Sequence, residues 1–70
     1  MSLSEHAKTT IEKYGKDLAL EAIFLNQKGH GAKAISQQLL PSEPKGAAVA
    51  YALISAGREL MLEFLKRSKD

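Results

Sequence analysis

The chain contains no cysteine and no tryptophan among its 70 residues. Without cysteine there is no disulfide framework, no thiolate zinc site and no cysteine nucleophile, which fits a reducing compartment. Two prolines and five glycines are too few for a collagenous or low-complexity chain. Aromatic residues make up 6% of the chain and alternating apolar and polar runs are missing, so strands are not expected. The most apolar stretch, Gly46 to Gly57, spans about twelve residues, well short of the ~20 that cross a bilayer. The opening Met1-Ser2-Leu3-Ser4-Glu5-His6 has no basic region followed by an apolar one, so no secretory leader is expected. A soluble, cytoplasmic protein with no membrane association is the expectation.

Apolar residues amount to 44% and charged residues to 26%, a globular balance, and the length allows a single domain over 1–70. Ten Lys/Arg against eight Asp/Glu leave +2, too weak a bias to identify a nucleic-acid binder.

The spacing is helical. Leu3, Ala7, Ile11, Tyr14, Leu18, Ala22 and Leu25 recur at steps of four and three, which keeps them on one face. Ser2 with Glu5, and Thr9 with Glu12, both have capping-box spacing, so the first helix starts at one or the other. Gly15 weakens its middle and marks a bend. Before Gly15 only one apolar stripe is present. Leu18 to Leu25 is apolar almost all round, which predicts burial on two sides and a larger share of the stability. Gly29 ends this helix as the left-handed C-cap residue. A short helix runs from Ala32 to about Leu40, with Ile35 and Leu39 inward and Lys33, Gln37 and Gln38 outward. Pro41 stops it. Ser42 is placed to cap a third helix, with Glu43 and Pro44 in its first turn, reaching roughly Lys66. The expected fold is all-α: three helices, long, short and long.

The third helix carries no charge from Gly46 to Gly57, unusual for the surface of a small monomer. Ala48, Ala52 and Ala56 form a ridge of small residues at steps of four. Val49, Leu53, Leu60 and Phe64 form a bulky stripe, and Ile54, Met61 and Leu65 another. A chain this short is marginal alone, and pairing is a common remedy. The expectation is a helical homodimer with Ala48, Tyr51, Ala52, Ser55 and Ala56 at the interface.

Catalytic chemistry is poorly supplied. His6 and His30 are far apart along the chain, no HxxxH or HxxE pair exists, and no GxSxG or phosphate-loop motif is present. No catalytic, metal or cofactor residue is assigned. Lys28-Gly29-His30-Gly31-Ala32-Lys33 has the composition of a phosphate cradle before a helix, but a helix C-cap uses the same residues.

Gln27 to Leu39 resembles the first two elements of helix-turn-helix domains, with Gly46 onward as a third. Two features depart from that pattern. The turn from Leu40 to Lys45 exceeds the usual three to four residues. The third helix also presents Ala47, Ala48, Ala50 and Tyr51 where residues that read bases belong. In a DNA-binding protein, Lys28, His30, Lys33, Gln37, Ser42 and Lys45 would make the contacts, mostly to phosphates. The leading expectation is a non-enzymatic regulatory or adaptor protein that binds a protein partner, needing no cofactor. The alternative is a DNA-binding regulator.

Overall fold

The computed structural model describes residues 3–68, and among these it is all-α. Four helices follow in order: α1 Glu5–Tyr14, α2 Lys16–Gln27, α3 Ala32–Leu39 and α4 Gly46–Ser68. The count exceeds the expected three because Gly15 breaks the first helix instead of bending it. Gly15 sits at φ 97°, ψ 152°, a region essentially confined to glycine. Its N–H donates to the Ile11 carbonyl at 2.7 Å, closing α1, and its carbonyl accepts from Ala19 at 3.3 Å, opening α2.

Ser4 caps α1, its hydroxyl accepting from the Ala7 N–H at 3.2 Å. Thr9 therefore starts no helix; it lies within α1 and its hydroxyl donates to the Glu5 carbonyl at 2.9 Å. Ser2, the other expected start, lies outside the described residues.

At the end of α2, Gly29 adopts φ 104°, as the C-cap assignment requires. The His30 N–H donates to the Leu25 carbonyl and the Gly29 N–H to the Asn26 carbonyl, at 3.1 and 3.0 Å. The Asn26 amide also donates to the His30 carbonyl at 3.1 Å. α4 begins at Gly46, later than the capping expectation for Ser42. The Glu43 N–H is committed to a turn on the Leu40 carbonyl, and the first α4 bond runs from the Val49 N–H to the Lys45 carbonyl.

The long α4 is the hub. It packs against all three other helices, α2 also touches α1 and α3, and α1 does not meet α3. Most buried side chains are small: Ala7, Ala19, Ala22, Ala32, Ala50 and Ala56 lie in the core, with Leu53 and Ile35 its largest fully enclosed members. Two contacts are closer still. Gly57 lies against the α2 main chain at Ala19, where an added β-carbon would collide with the carbonyl oxygen and approach Ile23 to 3.0 Å. Gly46 abuts Ser36 of α3, with 2.9 Å between an added β-carbon and the serine Cβ.

The expected burial of Leu18–Leu25 on two sides is not realised. Ala19, Ala22 and Ile23 are enclosed, whereas Phe24 is 62% exposed and Leu18, Leu20 and Leu25 are half-buried. A four-helix chain of this size has one layer of partners for α2 and nothing to cover its far side. No helix among the described residues is long and apolar enough to cross a membrane.

Candidate functional site

α4 carries two parallel rows at heptad spacing, one residue out of step. Gly46, Ala50, Leu53, Gly57, Leu60 and Phe64 form the first, and from Gly46 to Leu60 it is turned into the chain's own core. Ala47, Tyr51, Ile54, Arg58, Met61 and Leu65 form the second. Within it Ile54 is buried, Met61 half-buried, and Tyr51 and Leu65 are 68% and 58% exposed. Leu62 stands beside this outer row, also exposed.

Two grooves border the outer row. One, of about 640 Å³, lies between α2 and α4, with Leu20, Ile23, Phe24 and Met61 as its apolar lining and Asp17 and Glu21 beside them. The Lys28 ammonium lies 5.4 Å from the Phe24 ring centroid, a cation–π distance. The other groove, about 550 Å³, is lined by Ala48, Tyr51, Ala52, Ile54, Ser55 and Arg58 together with His6 and Asn26.

Four of the five expected interface residues, Ala48, Tyr51, Ala52 and Ser55, thus share one accessible groove. Ala56 does not. It is fully buried in the chain's own core, because the expected alanine ridge turns inward at that end, where α4 meets the rest of the chain. Half of the outer row, Ile54, Met61 and Leu65, is the stripe expected from the sequence; its continuation through Ala47, Tyr51 and Arg58 was not read there, because Arg58 interrupts its apolar character.

Of the residues considered for nucleic acid, Lys28, Lys33, Gln37, Ser42 and Lys45 are exposed and His30 is half-buried. Lys33 and Gln37 line one shallow groove with Glu43 and the start of α4. Lys28 is drawn toward Phe24 instead. The stretch 28–30 serves as the stop of α2, the N–H groups of Lys28, Gly29 and His30 all donating to α2 carbonyls.

Electrostatics concentrate at one further place. The Ser4 N–H and hydroxyl donate to the two carboxylate oxygens of Glu59, each at 2.8 Å. These two hydrogen bonds, main-chain first, hold the Glu59 carboxyl below its ordinary value, with a smaller contribution from His6 and some opposition from desolvation. The buried hydroxyls are otherwise satisfied locally: Thr10 donates to the His6 carbonyl and Ser36 to the Lys33 carbonyl. Among the described residues, no three His, Asp or Glu side chains gather in a metal-binding group. Comparison with protein-family models, curated proteins and solved structures gives no match to the chain.

Proposed function

We propose that this is a small non-enzymatic regulatory or adaptor protein that acts by binding protein, and that it does so as a homodimer. The observation that carries this reading is the placement of the exposed large apolar residues. Tyr51, Leu62 and Leu65 lie on or beside the outer row of α4, and Phe24 borders the adjoining α2–α4 groove. Four of the five exposed large apolar side chains among the described residues thus gather on one side, Phe64 at the end of the inner row being the exception. Such a cluster on so small a protein marks an interaction surface. The size of the chain supports it too, since its core is built mainly of alanine and gives little apolar area per residue. Light scattering at micromolar concentration tests the reading. The expected mass is twice that of the 7.6 kDa chain; a monomer at every concentration overturns it.

A second reading, a DNA-binding regulator of helix-turn-helix type, is favoured by where the charge sits. Lys28, Lys33 and Lys45 around α3, against Glu43 alone, account for the chain's formal excess of +2, while the other charged residues balance. The α2–α3 turn also has the four residues that the motif requires, so the exposed Lys33 and Gln37 face of α3, rather than α4, would approach DNA. Binding that weakens steeply between low and moderate salt supports this reading, and indifference to DNA at low salt removes it.

A further inference from the structure

We infer that the occupant of the α2–α4 groove is a second copy of this chain, packed antiparallel along the outer row of α4, with Arg58 of each copy set between Asp17 and Glu21 of the other. The inference rests on the protein-binding reading and specifies its geometry.

Three charges at this surface have no ion pair within the chain among the described residues: Arg58 on the outer row, and Asp17 and Glu21 beside the groove. Asp17 and Glu21 line the same groove as Met61. Arg58 precedes Met61 by three residues, so the two are consecutive positions of one heptad row. A two-fold axis between them turns this spacing into a match. Antiparallel packing then sets Arg58 of each copy beside Met61 of the other, next to that copy's two carboxylates. The same register sets Leu65 of each copy over Ile54 of the other.

The symmetry is isologous, so every contact occurs twice and the assembly closes at two chains. Phe24 and Leu20, on the α2 side of each groove, widen the contact beyond a single helix pair. A stable interface takes roughly 800 Å² from each partner, about a sixth of the 4867 Å² that this chain exposes. The outer row flanked by α2 brings Leu20, Phe24, Met61 and Leu65 to that contact, and the large side chains of the other groove, Tyr51, Ile54 and Arg58, belong to the same outer row. The arginine explains its own presence. In an apolar row it costs affinity unless opposite charge awaits it, so it fixes register and direction.

Charge exchange tests this directly. In sedimentation at low salt, Arg58→Glu is expected to weaken the dimer at least tenfold, because it faces two carboxylates. Arg58→Glu combined with Asp17→Lys and Glu21→Lys is expected to restore affinity to within a few-fold of the parent. Gln38→Glu, on the exposed face of α3 away from this surface, should leave the dimer unchanged. Circular dichroism confirms that each variant remains helical, and Arg58→Ala serves in place of Arg58→Glu if that variant unfolds. A dimeric parent that Arg58 substitution leaves intact, or a triple variant that stays dissociated, overturns this geometry and leaves the protein-binding reading standing. A monomeric parent overturns both.

Discussion

Gly57 of α4 rests its bare α-carbon on the main chain of α2 at Ala19, so the two helices meet with no side chain between them. This contact sets the depth at which α2 seats, and thereby brings Leu20 and Phe24 up beside Met61 to form the groove. In an exposed helix, alanine would be preferred to glycine by up to ~1 kcal/mol. Here the sign reverses. Gly57→Ala is expected to destabilise the protein by about 1–2 kcal/mol through overpacking, read as a lower urea midpoint, while Ser55→Ala on the exposed face should be nearly neutral.

Gly15 supplies a different kind of constraint. No atom lies within 4 Å of a β-carbon placed there, so space is not the issue. The backbone at φ 97° is what an L side chain resists. Gly15→Ala should cost about 1–3 kcal/mol without altering contacts elsewhere, and thermal unfolding followed by circular dichroism measures it.

Acid should loosen α1 first. The Glu59 carboxyl has a lower value in the folded protein than in the unfolded chain, so the unfolded state takes up its proton more readily as pH falls. Its contribution is complete above the ordinary carboxylate value and is lost as pH drops through the lower, folded value. Amide protection in α1 should fall relative to that in α2 across this window, and Glu59→Gln should remove that relative fall.

Leu53 is fully enclosed near the middle of α4. Leu53→Ala is expected to cost ~2–5 kcal/mol, a large part of the stability of a chain this short. Denaturant titration that showed less than 1 kcal/mol would mean that the core collapses around the gap.

Much of this architecture is legible in the sequence because it depends on local rules. Gly29 as a helix stop, the Ala32–Leu39 helix and the inward Ile35 follow from spacing and capping alone. What was not legible depends on distance. Gly15 is a glycine within a continuous apolar pattern, and only the packing of α1 and α2 onto one α4 demands a full break there. The alanines of α4 look equivalent along the chain, yet Ala56 is enclosed and Ala48 exposed, because α1 and α2 cover one side of one end only. The Ser4–Glu59 contact joins positions 55 apart and has no local signature.

That separation governs the order in which the molecule assembles. The α3–α4 corner, Ser36 on Gly46, closes a span of ten residues, and Ala19 meets Gly57 across nearly four times as many. The clasp of Ser4 on Glu59 encloses most of the chain, and the entropy of closing a loop rises with its length. Loop-closure entropy alone predicts that folding begins at the corner and fastens α1 last, and that unfolding starts by releasing it. Ser4→Ala should accordingly quicken unfolding and leave the folding rate almost unchanged.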